Sequence, residues 1–112
     1  MTNIEKELRR MMEDIRHDLE LAYEGKLKNE DGEQVDLWEY LSDGLALDYR
    51  VDPAHIPLAC RIWFCLGGPN IWVDTETESV HGAWGGNRDE IFIDSELSDA
   101  ILESMTLDWD CY

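Results

Sequence analysis

Three carboxylates alternate along the segment VDTETES, at Asp74, Glu76 and Glu78. Oxygen ligands at this spacing could hold a hard cation such as Ca²⁺. The glycine-centred loop that makes a calcium site recognisable is absent from the segment. We therefore interpret it as a solvated hairpin tip whose charges discourage edge-to-edge strand pairing, and we predict no bound metal.

The cysteines and histidines are the other residues that could support catalysis. The three cysteines include no CxxC pair, and the three histidines show neither HxH nor i,i+4 spacing. Cys60 and Cys65 lie five apart on one predicted strand, which should point them to opposite faces and leaves a disulfide difficult to form. A couple between either thiol and His81 would depend on the fold, and no local nucleophile signature surrounds the cysteines. We expect buried free thiols and a protein that is not an enzyme.

Two glycine pairs, in GGPN and WGGN, could in principle cradle a phosphate. Neither segment matches GxGxxG or a P-loop, neither clearly opens a helix, and no lysine follows Lys28. The glycines are better explained by turns that require positive φ. No nucleotide or other cofactor is predicted.

The charge of the chain limits its partners. Twenty-six acidic residues against nine basic ones leave a formal charge of −17, and residues 51–112 carry twelve acids against Arg61 and Arg88 alone. Such a field repels nucleic acid and anionic lipid, so neither direct nucleic-acid binding nor membrane binding is expected. It attracts strongly basic proteins, among which nucleic-acid enzymes have the most basic clefts. Because no signal peptide and no apolar run of ~18 residues is present, we expect a reducing cytoplasm.

Five tryptophans could form a stacking platform, but single-strand binders combine such aromatics with a basic groove. We expect most of the tryptophans to lie in the core. Trp109 is the expected exception, because Asp108 and Asp110 flank it near the end of the chain. An exposed tryptophan among acids would suit an interface anchor, and Tyr112 is the alternative anchor.

The first half of the chain reads as two helices. Thr2 followed by Glu5 predicts a capping box, and Gly25 predicts the end of the first helix. A shorter helix is predicted over residues 35–45 with Asp36 as a candidate N-cap. In LALDYRV the apolar period changes from helical to alternating, which indicates a further strand beginning near Gly44.

The second half reads as strands followed by a helix. LACRIWFCL has the pattern of a central strand covered on both faces, and NIWVDT, SVHGAW and EIFI predict the next three strands. Asp94 or Ser95 caps a final helix. The predicted fold of residues 1–112 is a single α+β domain: an antiparallel β-meander of about four strands packed against an N-terminal helix pair and a C-terminal helix.

The acids of the second half are the candidate partner-binding residues, together with Trp109. If their surfaces join, they form rows of carboxylates comparable with the phosphate rows of duplex DNA. The alternative is a merely acidic surface of a cytoplasmic protein. The full predicted partner-binding set is Asp74, Glu76, Glu78, Asp89, Glu90, Glu96, Asp99, Glu103, Asp108, Trp109 and Asp110.

The segment GGPNIWVDT, followed by GAWGG and an acidic helix, resembles the central part of small acidic uncharacterised proteins carried by bacterial mobile elements and phages. The resemblance covers about residues 58–105. Products of such genes often resemble anti-CRISPR or anti-restriction inhibitors, several groups of which act as DNA mimics. The resemblance implies a DNA mimic of this type.

Charge and resemblance together predict a non-enzymatic inhibitor that binds a basic nucleic-acid-binding protein of the host, either a CRISPR effector or a restriction complex. The alternative is a small cytoplasmic accessory domain that binds another protein through apolar contacts of its first helix or its C-terminal tail. An enzyme that uses Cys60 or Cys65 is a third possibility, and we expect no role for either thiol in activity.

Overall fold

The computed structural model describes residues 2–107 and Trp109. Within these residues, helices and strands succeed one another in the order expected for an α+β domain. The elements are α1 (Asn3–Tyr23), α2 (Leu37–Ser42), β1 (Ala46–Val51), β2 (Pro57–Cys65), β3 (Asn70–Asp74), β4 (Ser79–Trp84), β5 (Asn87–Phe92) and α3 (Ser95–Met105).

The strands form one antiparallel sheet in the order β1-β2-β3-β4-β5. The predicted α+β class and the meander are confirmed. The predicted number of about four strands is too low, because the described part of the chain has five. The fifth strand is β1, in LALDYRV, where the change of apolar period indicated a further strand; it pairs with β2 and lies at the edge of the sheet.

Helices cover one face of the sheet, which we call the helix face. Ile62, Val73 and Val80 occupy neighbouring register positions on this face and are buried. The opposite face, the open face, carries no helix in the described residues. The prediction that LACRIWFCL is covered on both faces is therefore wrong, since its outward residue Arg61 is exposed and pairs with Asp48 of β1.

The termini of α1 and α2 follow their predicted signals. The Thr2 hydroxyl accepts a hydrogen bond from the Glu5 amide at 3.1 Å, and the Asp36 carboxylate accepts one from the Glu39 amide at 2.8 Å. Gly25 lies just beyond α1 with φ 74°, a conformation in which glycine is least strained. The N-cap bonds of Thr2 and Asp36 and the stop at Gly25 are confirmed.

The helix α1 packs closely on β4 at Gly82. A Cβ atom on this residue would lie 2.6 Å from Met12 Sδ and 2.9 Å from Leu8 Cδ1. Both of these side chains are buried in the core between α1 and the sheet. Glycine is therefore required here for the helix to approach the strand, and α1 covers the β4 side of the sheet.

A β-bulge changes the orientation of the second cysteine. The register of β2 against β3 shifts between Trp63 and Cys65, so Cys65 opposes Ile71, which is buried on the helix face. Cys60 is also buried on this face. The prediction that the two thiols point to opposite faces is wrong, because the bulge inserts one residue into the alternation. Both cysteines are free thiols.

Candidate functional site

Six of the predicted partner-binding carboxylates lie along one end of the sheet, which we call the acidic end. They belong to the β3–β4 turn region and to α3: Asp74, Glu76, Glu78, Glu96, Asp99 and Glu103. Ser98 Oγ donates a hydrogen bond to the carbonyl oxygen of Thr75 at 3.0 Å, and the Ile93 amide donates one to Glu78 O at 2.9 Å. These bonds place the beginning of α3 directly against the turn.

The rest of α3 follows the same end of the sheet. Tyr49 Oη donates to the Met105 carbonyl oxygen at 2.6 Å, which fixes the last turn of α3 over β1. Tyr49 opposes Cys60 in the sheet, and the Cys60 carbonyl oxygen accepts a bond from the Thr75 amide. Both ends of α3 therefore contact the row of residues nearest the β3–β4 turn, so α3 lies along this end of the sheet.

The acids of α3 point away from the core. Leu97, Ser98 and Ile101 are buried. The three acids Glu96, Asp99 and Glu103 are exposed. Positions separated by three, four and seven residues share one side of a helix. At about 1.5 Å per residue, the carboxylates follow one another by roughly 4.5 and 6 Å along the axis. They form one exposed row.

Few cations compensate the acidic end. Arg50 contacts Glu76 at 3.0 Å between Nη2 and Oε1. The other five acids have no ion pair with lysine or arginine within residues 2–107 and Trp109. One oxygen of Asp74 accepts a bond from the Glu76 amide at 2.8 Å, which orders the turn. Arg61 opposes Asp74 in the sheet and interacts electrostatically with both Asp74 and Glu76, so the acids free of a nearby arginine are chiefly Glu78 and those of α3.

The remaining predicted carboxylates on β5 lie elsewhere. Both oxygens of Asp89 accept bonds from Nη1 of Arg9 at 2.9 Å, on the helix face. Glu90, the next residue, points to the open face, where Oε2 accepts a bond from the Ser79 hydroxyl at 2.6 Å. Adjacent strand residues face opposite sides, so these two acids cannot belong to one row with each other.

Trp109 is held against the protein. Its ring packs edge-on against Tyr49 with centroids 4.8 Å apart, and Nε1 donates to the carbonyl oxygen of His55 at 2.7 Å. Its exposure is intermediate, so the prediction of a freely exposed anchor is wrong. Asp108 and Asp110 lie outside the described residues, as does Tyr112.

None of the five tryptophans is fully buried, so the expectation that most are core residues is wrong, and only Trp84 packs against the core among the described residues. Trp38 is the most exposed, at 53%, and the other four have intermediate exposure. Trp63 and Trp72 stack across the open face at 6.1 Å between centroids, and Trp72 stacks on His81 at 5.2 Å. Because no helix covers this face, the rings cover one another and reduce their own exposure.

A serine, a histidine and a carboxylate meet on the open face, but their arrangement differs from a catalytic triad. Nε2 of His81 is 3.0 Å from Ser79 Oγ and 3.6 Å from Glu90 Oε2. In a triad the acid binds the ring nitrogen opposite the one facing the serine. Here both groups approach the same nitrogen, and Ser79 is completely buried. The cluster orders the β4–β5 pair.

Cys60 and Cys65 have no histidine partner among the described residues. Cys60 and Cys65 lie on the helix face, whereas His81 lies on the open face, so the Cys–His couple considered from the sequence does not form. Burial raises the pKa of the Cys60 thiol to about 11 and also raises that of Cys65. Among the described residues no group of histidine, cysteine and acidic side chains has the geometry of a metal site.

An apolar groove of 890 Å³ lies beside β1 on the helix face. Leu47 and Ile62 form its floor, Trp38 belongs to the α2 wall, and Met105 and Leu107 belong to the wall at the end of α3. The sequence prediction did not include this groove. The exposed leucines around LALDYRV were a signal for it, but alternation alone does not reveal which strand remains uncovered by helices.

Comparisons with known proteins found no relative. A scan against protein-family models, a search of curated proteins and a search of solved structures each found no match to this chain. The resemblance to acidic proteins of mobile elements therefore stays a prediction. None of the helices in the described part of the chain is long and apolar enough to cross a membrane.

Proposed function

We propose that this protein is a non-enzymatic, DNA-mimic-like inhibitor of a host nucleic-acid-handling defence enzyme, either a CRISPR effector or a restriction complex. The acidic end enters the basic channel of that enzyme and occupies the place of nucleic-acid phosphates. The protein acts in the cytoplasm of a bacterial host, and it neither contacts nucleic acid nor binds a membrane.

One observation carries this proposal: the acidic end presents six carboxylates, of which Glu76 alone pairs with a cation among the described residues. An uncompensated cluster of this kind interacts more strongly with a basic surface than a cluster neutralised by its own lysines and arginines. The formal charge of −17 adds long-range steering toward a positive partner. Solubility alone requires a net charge of only about 2–8 in magnitude for a small domain.

The arrangement of the acids also supports mimicry. The exposed row on α3 repeats every three or four residues, which corresponds to roughly 4.5–6 Å along the helix axis. Phosphates of one DNA strand repeat at about 3.4 Å along the duplex axis, so the two spacings are of the same order. The turn acids lie at the same end of the sheet, with Glu76 on the open face beside Arg50. The resemblance of residues 58–105 to mobile-element proteins agrees with the same class of function.

The test is inhibition of DNA cleavage by a panel of restriction complexes and CRISPR effectors. We expect inhibition of at least one enzyme, competitive with its DNA substrate. Changing Glu96, Asp99 and Glu103 to lysine should abolish that inhibition. Non-competitive inhibition, or full activity of this variant, would contradict mimicry.

A control with the same change in charge separates position from net charge. Glu30, Asp31 and Glu33 are exposed in the loop between α1 and α2, outside the acidic end. Their replacement by lysine removes as much negative charge, and we expect this variant to retain most of the inhibition. Circular dichroism and thermal unfolding of both variants establish that they are folded.

The apolar groove favours a second candidate function, an accessory domain that binds another protein mainly through apolar contacts. A groove lined by exposed apolar side chains is a surface to which an apolar segment of another protein can bind. Under this alternative, charge reversal on α3 leaves function intact, whereas replacement of Trp38 in the groove removes it. Charge reversal on α3 therefore discriminates between the candidates.

A further inference from the structure

The layer of helices leaves one strand of the sheet uncovered. α1 packs on β4 and β5, α3 packs on β2, and α2 packs on α1 and α3. Of the described helices only the end of α3 reaches β1, through the bond from Tyr49 to Met105, and the helix-face residue Leu47 remains 44% exposed. Sheets bury their apolar face against a neighbouring layer, so the position over β1 is a place where the helix layer is incomplete.

The apolar groove occupies this position. Its walls are formed by α2 and by the end of α3, and its floor is the helix face of β1 and β2. Trp38 and Leu107 stand on its two walls with 53% and 66% exposure. A helix placed between these walls would pack on the sheet as α1 and α3 do. It would bury the exposed side chains of Leu47, Trp38 and Leu107.

The charges around the groove define what kind of helix fits. No lysine or arginine is among the described residues that line it. Glu39, Asp43 and Glu103 are exposed, and each is adjacent in sequence to a lining residue. Arg50 also neighbours a lining residue, but it points to the open face, where it pairs with Glu76. Arg61, next to Ile62, likewise points to the open face, where it pairs with Asp48. His55 lines the groove, and the other described charged residues next to lining residues on this side are acidic, so we take the rim to be acidic.

We propose that the groove binds an amphipathic α-helix of the partner, with apolar residues at positions i, i+3, i+4 and i+7 and with lysine or arginine along both flanks. The apolar side chains replace the missing helix cover of β1, and the cations contact the acidic rim. This inference rests on the proposed function in taking the partner to be a basic protein. It adds a second, mainly apolar contact beside the acidic end.

The test uses a synthetic helix-forming peptide with leucine at i, i+3, i+4 and i+7 and with lysine and alanine elsewhere. Its affinity for the full chain is measured by fluorescence anisotropy, and its position by backbone amide shifts in NMR. A peptide of identical composition with scrambled leucines is the control for charge. We expect the patterned peptide to bind at least about tenfold more tightly and to shift residues of the groove.

Variants of the exposed groove residues complete the test. We expect the double variant Trp38→Ala, Leu107→Ser to weaken binding of the patterned peptide at least about tenfold. Phe92→Ala is the matched control, because Phe92 is 66% exposed on the open face, away from the groove. It should bind the peptide as the unmodified protein does.

Three outcomes would overturn the inference. The first is equal binding of the two peptides, and the second is binding that the double variant does not weaken. The third is a homodimer, seen by sedimentation equilibrium, that the double variant dissociates, because the groove would then bind a second copy of this chain. A failure of the proposed function is distinct, since it shows as no inhibition of any enzyme in the panel and leaves the peptide result intact.

Discussion

Ser98 and Thr75 are joined by a hydrogen bond of 3.0 Å that ties α3 to the β3–β4 turn. Ser98 is 2% exposed, so its replacement leaves the Thr75 carbonyl oxygen with little access to water. We predict that Ser98→Ala lowers the free energy of unfolding by about 1–2 kcal/mol. Urea denaturation followed by circular dichroism measures this change. Ser95→Ala, at an exposed position of the same helix, is the control, and an equal loss in both variants would refute the role of the bond.

Gly82 determines how closely α1 approaches the sheet. An added Cβ would lie 2.6 Å from Met12 Sδ, so Gly82→Ala should lower the free energy of unfolding by about 1–3 kcal/mol through overpacking. Met12→Ala alone should cost about 2–5 kcal/mol because it leaves a cavity. The double variant should be less destabilised than the sum of the two, since alanine at position 12 makes room for the methyl group. Strictly additive losses in thermal or urea unfolding would contradict this packing.

The N-caps of α2 and α3 differ, and stability should reflect the difference. Asp36 accepts a hydrogen bond from the Glu39 amide at 2.8 Å, whereas Asp94 makes no side-chain cap bond. Asp36→Ala should therefore lower the free energy of unfolding by about 1 kcal/mol. Asp94→Ala should have a smaller effect, limited to its charge near the helix N-terminus. A larger loss for Asp94→Ala in urea denaturation would show that the cap bond is not the cause.

The thiol of Cys60 should be unreactive in the folded protein. Burial raises its pKa to about 11, so only about one thousandth of it is thiolate at pH 8. We expect iodoacetamide to leave Cys60 unmodified in the native protein and to modify it after unfolding, as measured by peptide mass spectrometry. The pKa of Cys60 is higher in the folded than in the unfolded state, so the protonated thiol favours folding. This contribution is complete below the usual pKa of the thiol and is lost as the pH rises through the folded-state value of about 11. Native-state alkylation of Cys60 faster than that of the less buried Cys65 would contradict the assignment.

Binding to a basic target should depend strongly on salt. Exposed carboxylates at the acidic end are screened when the Debye length falls from about 10 Å at 0.1 M salt to about 3 Å at 1 M. We predict that affinity for the inhibited enzyme falls by orders of magnitude over this range, chiefly through slower association. Titration calorimetry or surface plasmon resonance at several salt concentrations measures the effect. An affinity that does not change with salt would exclude a charge-dominated complex.

The elements of the fold were predictable where local chemistry decides them. Thr2 and Asp36 cap their helices through bonds to residues three positions on, so short sequence patterns contain the whole interaction. The glycine pair at residues 85–86 adopts φ 57° and 85°, the positive values that its turn was expected to require. Each of these features depends on neighbours within a few residues. None depends on how the layers pack.

The errors concern relations across the sheet. The bulge before Cys65 reversed the predicted side of that thiol, and the absence of a helix on the open face left Trp63 and Trp72 partly exposed. Asp89 and Glu90 were assigned to one binding surface, yet the strand points them to opposite faces, one toward Arg9 and the other toward Ser79. Composition identifies a residue as acidic or aromatic but does not reveal its counter-ions.

By itself, the sequence determined the α+β class, the helix caps, the glycine turns and the excess of negative charge, because these follow from local backbone preferences and from counting ionisable groups. Tertiary structure alone decided that the turn and α3 bring six acids to one end, and that β1 remains uncovered beside an apolar groove. Such arrangements depend on strand register and on contacts between residues distant in the chain. The free energy of those contacts is shared among many side chains, so no single segment encodes them.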